Sequence, residues 1–180
     1  MLTSFARSAV MTAVLLARHQ LRLPRNNVGR QLQFADGTTP RVYRETVRAE
    51  MSTVNPSLLV VRFRLRVIGD RGWLHAAFRV ESILNTPLFA GFPGFRTKLW
   101  AYDRRTSSYR GVYEWDGADL ATAYADTLCR LLRVLSVPGS VDFHVEPGVP
   151  RDEFLRNPGA VRPSTADADR WWRLGSPVPM

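Results

Sequence analysis

Residues 57–68 read as an alternating stretch, with Val61, Phe63, Leu65 and Val67 on one parity and Arg62, Arg64 and Arg66 on the other. A period of two sends successive side chains to opposite faces, so the stretch predicts a β-strand, which Gly69-Asp70 ends. The next segment changes period. Over 72–84, Trp73, Ala77, Val80 and Leu84 recur at helical spacing, and Pro87, Gly91, Pro93 and Gly94 then break the chain, which predicts a helix followed by a loop. Alternation returns over 95–103 and 108–115 around Arg104-Arg105-Thr106-Ser107, a hairpin. Asp116 is placed to cap a helix that begins near Ala118 and buries Leu120, Tyr124, Leu128, Leu131 and Leu135. After Pro138-Gly139, residues 141–146 form a last short strand. The order β-α-β-β-α-β predicts an α+β chain folded as a ferredoxin-like sandwich.

Upstream, Leu2, Phe5, Ala9, Ala13 and Leu16 recur at helical spacing, and Pro24, Asn26-Asn27 and Gly29 supply a stop. One amphipathic helix is expected over 3–21. Its apolar stretch from Ala9 to Ala17 is shorter than the roughly 20 residues of a membrane span, and Ala17-Arg18-His19 is a poor signal-peptidase site. A helix docked on the protein's own core or on a second subunit is therefore preferred to one lying on a membrane surface. Residues 31–34 and 41–47 flank Asp36-Gly37-Thr38-Thr39, a turn-rich sequence that predicts a β-hairpin. The chain thus divides into an N-terminal extension (1–56), the ferredoxin-like unit (57–148) and a proline-rich tail (149–180), which Trp171 and Trp172 are expected to anchor.

Composition narrows the function classes. A chain of 180 residues with 45% hydrophobic residues can build a core without metal or disulfide. Its single cysteine, Cys129, excludes an intrachain disulfide and a cysteine-based zinc site, and reads as a core thiol. The net charge of +9 invites a polyanion. However, 24 of the 25 basic residues are arginines, a preference that high-GC codon usage also produces, and they are scattered without any run of five. A dedicated basic arm would show such a run, so nucleic acid is not the favoured partner. No glycine-rich phosphate loop, metal-ligand cluster or nucleophile elbow is present. A bacterial, cytoplasmic protein is expected.

Sorting strand residues by parity gives one apolar face, with Val61, Phe63, Leu65, Leu99, Ala101, Tyr113, Trp115, Val141, Phe143 and Val145 beneath the two helices. The other face collects Arg62, Arg64, Arg66, Arg96, Lys98, Trp100, Tyr102, Arg110, Val112, Glu114, Asp142, His144 and Glu146. In this register Arg96 lies across from Glu114 and Trp100 across from Arg110. Such a face is either simply solvated or suited to a planar or anionic ligand, since aromatic rings beside arginines offer stacking and charge-assisted hydrogen bonds. A second copy laid over it would enclose a pocket.

The run Pro93-Gly94-Phe95-Arg96-Thr97-Lys98-Leu99-Trp100, then Gly111-Val112-Tyr113, and the helix start Ala118-Asp119-Leu120-Ala121-Thr122-Ala123-Tyr124 resemble the YdhR-type monooxygenase-like family of the dimeric α/β-barrel superfamily. The likeness covers residues 58–147. It implies a homodimeric barrel with Lys98 and Trp100 lining the cavity of each protomer. Some relatives are cofactor-independent oxygenases of aromatic or polyketide substrates, others degrade haem, and others have no proven reaction. An oxygenase of the first kind needs a base and cationic stabilisers. His144 is the candidate base, with a histidine merely paired to a carboxylate as the alternative. Arg64 or Arg110 would stabilise the anion, and Arg62, Lys98, Trp100, Tyr102 and Glu114 would contact the ligand. No cofactor is expected; a haem held by His75 is the minor alternative. The expected function is a monooxygenase-like protein that binds a small aromatic or enolic anion. A non-catalytic dimeric small-molecule binder or interaction module is the second reading, and an RNA-binding ferredoxin-like domain the third. The last suffers because Tyr113 and Trp115 point toward the helices rather than to an open face.

Overall fold

In the sequence Leu58-Leu59-Val60-Val61 four apolar residues follow one another without a polar break, and all four are fully buried. A strand that is apolar on both parities needs cover on both faces, and this requirement organises the molecule. The computed structural model describes residues 2–49, 53–66, 89–157, 161 and 170–175. Its elements are α1 (Leu2–Ala17), β1 (Leu21–Arg22), β2 (Arg41–Arg48), β3 (Pro56–Phe63), β4 (Phe95–Asp103), β5 (Ser108–Asp116), α2 (Ala118–Leu135), β6 (Asp142–Pro147) and α3 (Arg151–Arg156). The strands form one six-stranded antiparallel sheet in the order β1-β2-β4-β5-β3-β6. The last four in that order, β4-β5-β3-β6, have the ferredoxin-like arrangement, with β6 at the sheet's edge, and the fold is α+β as expected. The helix predicted over 72–84 lies outside the described residues.

Several boundaries differ from the sequence pattern. β3 stops at Phe63 rather than running to residue 68, and Leu65 makes only an isolated bridge to Ser136. α1 ends at Ala17, four residues early, because His19 turns into the left-handed region (φ 54) and Leu21–Arg22 then pairs with β2. Asp116 does not cap α2. The N-cap is Gly117, and the Asp116 carboxylate instead accepts from the backbone N–H groups of Val54 and Asn55 and from Arg96.

The larger correction concerns β4. The turn at 104–107 is closed by Asp103, whose Oδ1 accepts the N–H of Arg105 at 2.8 Å and of Thr106 at 3.2 Å. It pairs Asp103 with Ser108, and therefore Trp100 with Gly111, Leu99 with Val112 and Lys98 with Tyr113. This is one residue away from the register expected above. Because the side-chain period is two, the slip exchanges the faces of the whole strand. Lys98, Trp100 and Tyr102 stand on the α2 side with Tyr113, while Leu99 and Ala101 join Val112 on the other side. A bulge between Phe95 and Thr97 returns Phe95 to the α2 side.

Both faces are covered by the chain itself. On one, α2 buries Ala121, Tyr124, Ala125, Leu128, Cys129 and Leu132 against Leu59, Val61, Phe63 and Trp115. The expected stripe is rotated: Leu120 and Leu135 are exposed. On the other, Leu32, Phe34, Phe154, Leu155, Val161 and Trp172 pack on Leu58, Val60, Leu99, Ala101 and Val112. Two segments supply that second cover. Residues 30–42 fold as the predicted hairpin, with Leu32 N–H donating to Pro40 O and Phe34 N–H to Thr38 O. The tail then adds to its edge, with Ala35 N–H donating to Arg173 O and Gly175 N–H to Gln33 O. Trp172, 1% exposed, anchors it.

Removing that anchor tests the second core. Trp172→Ala should lower stability by about 3–5 kcal/mol, the usual cost of deleting a buried tryptophan, read as a shift of the urea midpoint; a midpoint within error of the parent would mean the tail does not cover the sheet.

Candidate functional site

Lys98, the one lysine of the chain, lies in the middle of the α2 side of β4, between Thr46 of β2 and Tyr113 of β5. It is only 3% exposed. Its Nζ sits over three aromatic faces, 3.0 Å from the Trp100 ring centroid, 4.4 Å from Phe89 and 4.6 Å from Tyr113. The register builds this box. Tyr113 is Lys98's cross-strand partner, and its ring folds back over Gly111, where a Cβ would come within 2.5 Å of Cε2. Glycine at 111 therefore makes room for Tyr113 next to Trp100. Phe89 packs edge-on against both Phe95 and Trp100, which holds the remaining wall.

Among the described residues no carboxylate pairs with Lys98. Burial pushes its amine well below the usual lysine range, and the charge of Arg44, which itself reaches over the Trp100 ring at 5.8 Å, lowers it further. Ring quadrupoles attract the ammonium form, but they replace neither its hydration nor a counter-ion. The result is an amine that carries a proton less readily than any exposed lysine. Two phenols complete the surroundings: burial pushes Tyr113 and Tyr124 up, so both stay neutral. Burial likewise pushes the Cys129 thiol up to about 11, which makes it an inert core thiol.

The remaining candidates lie elsewhere. Arg110 is on the opposite face, its side chain wholly buried. It donates to Asp36 Oδ2 at 2.5 Å, to Thr38 Oγ1 at 2.6 Å and to the Trp171 carbonyl, above the Phe34 ring at 3.8 Å. Burial lowers Arg110 to about 10 against the opposing charge of Asp36. Arg62 bridges Asp142 at 2.7 Å and Asp36 at 3.5 Å and lies over Trp171. His144 stacks on Trp172, 3.7 Å between centroids, with Nε2 3.0 Å from Glu146 Oε2. Glu114 accepts from Thr53 Oγ1 and from the Arg151 N–H, so it fastens the start of α3. Arg64 is exposed beyond the end of β3. Tyr102 is on Lys98's face, tilted on Tyr109.

The expected site therefore separates into two. Lys98, Trp100 and Tyr102 share one face; Arg62, Arg110, Glu114 and His144 share the other. The expected cross-strand pairs are replaced too: Arg96 bonds Asp116 rather than Glu114, and Trp100 lies between Arg44 and Gly111 rather than opposite Arg110. The face meant for a second copy carries residues 30–40 and 149–157 of the same chain, so a homodimer would need another surface. His75, the residue weighed for haem, lies outside the described residues. Among the described residues no cluster of three or more His, Cys, Asp or Glu is placed to hold a metal. Sequence reasoning missed Phe89, Tyr113 and Arg44 as Lys98's neighbours. The turn length that fixes the β4–β5 register was the signal for Tyr113.

Two substitutions separate the faces. Lys98→Met should stabilise the protein at pH 7, because it removes an amine whose charged form burial disfavours, read as an upward shift of the urea midpoint. The folded-state Lys98 binds a proton more weakly than the unfolded one, so parent stability rises with pH toward the ordinary lysine value and the gap should close there. Arg110→Met should cost about 3–5 kcal/mol, because it strands Asp36. Burial works to raise Asp36, but the Thr38 hydrogen bond and the Arg110 charge outweigh it and hold the carboxyl low. Its contribution is thus complete above about pH 4 and is lost as pH falls through the lowered value; Asp36→Asn should flatten that acid limb in urea titrations.

No family model matches the sequence, and no curated protein matches it either. Among solved structures the chain is similar to a ferredoxin-fold protein related to antibiotic biosynthesis monooxygenases from Listeria monocytogenes, at 12% identity and a TM-score of 0.38 over 61% of this chain and 63% of that one. It is similar to a monooxygenase-like protein from Listeria innocua, at 14% identity and a TM-score of 0.41 over 61% and 63%. A heme-degrading enzyme from Listeria monocytogenes matches at 13% identity and a TM-score of 0.41 over 61% and 70%. The match spans less than two thirds of the length of the first two, and the fold class is carried by this chain's own strand order.

Proposed function

We propose that the chain binds a small, flat aromatic or enolic anion at the Lys98 amine and oxidises it with dioxygen, without a resident cofactor, as a relative of the YdhR-type monooxygenase-like proteins. The observation that supports this reading is a buried lysine ringed by aromatic faces and paired with no carboxylate among the described residues. An unmatched amine of lowered basicity in an apolar setting is the kind of group enzymes use as a base near neutral pH.

The chemistry follows from the amine's two states. Neutral Lys98 takes a proton from an activated phenol or enolisable ketone and becomes the cation that stabilises the anion it has made. Trp100, Phe89 and Tyr113 hold that ammonium through their ring faces. The substrate anion, not the protein, reduces dioxygen: a carbon–oxygen bond forms at the reacting methylene, the resulting peroxide loses water, and a carbonyl remains. One methylene and one dioxygen become one carbonyl and one water, so no external reductant is required. His144 has no part in this scheme, because it lies on the opposite face of the sheet.

An oxygen electrode with a panel of naphthols and enolisable polycyclic ketones tests the proposal. Uptake should fall about 10²–10⁴-fold in Lys98→Met, the usual worth of a general base, with little change in His144→Ala. The rate should be lost as pH falls through the lowered Lys98 value and retained well below pH ~10, where an ordinary lysine would already be protonated. Full activity in Lys98→Met would sink the base assignment; tight binding of the panel, read by Trp100 fluorescence, without uptake would leave a non-catalytic binder.

A further inference from the structure

Among the described side chains of α1, most apolar ones point away from the protein. The helix's inward stripe is Ser8, Thr12 and Leu15, exposed by only 2%, 1% and 2%. The approach is close: a Cβ on Gly91 would fall 2.0 Å from the Ser8 carbonyl oxygen, so the small polar residues are the ones that fit against the body. Val10, Met11, Val14 and Leu16 are left outside at 68%, 45%, 36% and 54% exposure. This reverses the usual arrangement, in which a surface helix turns its polar side to water. Ala13 and Leu16 are exposed as well, so of the two expected docking partners, the protein's own core or a second subunit, the core is not what they face.

Charge says what covers the stripe. Arg7 and Arg18, both exposed, stand at its two ends, at helical spacing from Val10, Met11 and Val14. Arg22 and Arg25 follow, exposed on either side of exposed Leu23, and no acidic residue precedes Asp36. A two-fold pairing of copies through this face would set arginines against arginines. No helix among the described residues is long and apolar enough to cross a membrane. An apolar stripe bracketed by cations on a helix too short to span is the pattern of a helix lying in the plane of a lipid surface, with its arginine stems reaching to the headgroups. We infer that α1 seats the protein on an anionic lipid surface, with Val10, Met11 and Val14 entering the acyl boundary and Arg7 and Arg18 on the phosphates. The inference is independent of the reaction proposed for Lys98.

Co-sedimentation of the full chain with phosphatidylcholine vesicles, with and without phosphatidylglycerol, tests it. The chain should pellet with the anionic vesicles, far less with the neutral ones, and be released by salt. Arg7→Gln and Arg18→Gln should each weaken partitioning about fivefold. Val10→Ser and Val14→Ser should each weaken it about tenfold. Val134→Ser, which alters an exposed residue of α2, should leave it unchanged, and unaltered urea midpoints check that the variants fold. Three results would overturn the inference: no pelleting with anionic vesicles, pelleting that ignores the serine substitutions and so reflects charge alone, or a solution dimer that Val14→Ser splits.

Discussion

The guanidinium of Arg110 sits at the centre of the sheet with no solvent exposure of its side chain, and stretches of chain far apart in sequence meet on it. Asp36 and Thr38 come from the N-terminal hairpin, the Trp171 carbonyl from the tail, and Phe34 forms the floor. A buried ion pair adds little net stability, because desolvation offsets the attraction. What it does is penalise any docking of the hairpin or tail that leaves the guanidinium unmatched. With both segments seated, Leu32, Phe34 and Trp172 reach Leu58, Val60 and Leu99, and apolar burial supplies the stability that the ion pair does not. Arg62 extends the arrangement, linking Asp36 to Asp142 of β6 across the ring of Trp171.

Much of this was legible in the pattern of residues. Strand alternation, the β4–β5 turn and the start of α2 lead to the ferredoxin-like part of the strand order, β4-β5-β3-β6, but not to β1 or to the pairing of β2 with β4. β4 resisted for a physical reason. Its two parity sets, Arg96-Lys98-Trp100-Tyr102 and Thr97-Leu99-Ala101-Asp103, each mix polar with apolar residues, because each faces a covered surface that contains charges. Pattern alone cannot choose between them; the turn length can, since a one-residue slip exchanges the faces. The unbroken Leu58–Val61 run carried a second clue, because a strand buried on both sides requires segments outside the ferredoxin-like unit to cover one of them. For α1 the period was right and the direction was not. Close approach to Gly91 selects small side chains regardless of polarity, which the helical spacing of apolar residues does not report.

The candidate site was legible only in part. The stretch holding Lys98 and Trp100 stands out by its residues, and Lys98 is the single lysine among 25 basic side chains. Its neighbours Phe89 and Arg44 arrive from a loop and from a strand outside the ferredoxin-like unit, and no spacing along the chain encodes that meeting.

The face assignment of β4 changes what the protein's charges are for. Had Lys98 shared a face with Arg62 and Arg110, it would be one cation among several, beside Asp36, Asp142 and Glu146. In the observed register those carboxylates hold the arginines and His144 of the hairpin-covered face, Glu45 holds Arg151, and Asp116 holds Arg96. Apart from His144–Glu146, which lies within β6, each such pair fastens one segment of chain to another. Lys98 is turned the other way, toward rings that attract a cation without neutralising it. The same burial that lowers its basicity also strengthens its attraction for any anion that reaches it, since a low local dielectric magnifies both effects. A single turn of four residues thus separates the charges that hold the fold together from the one lysine, which has no carboxylate partner among the described residues.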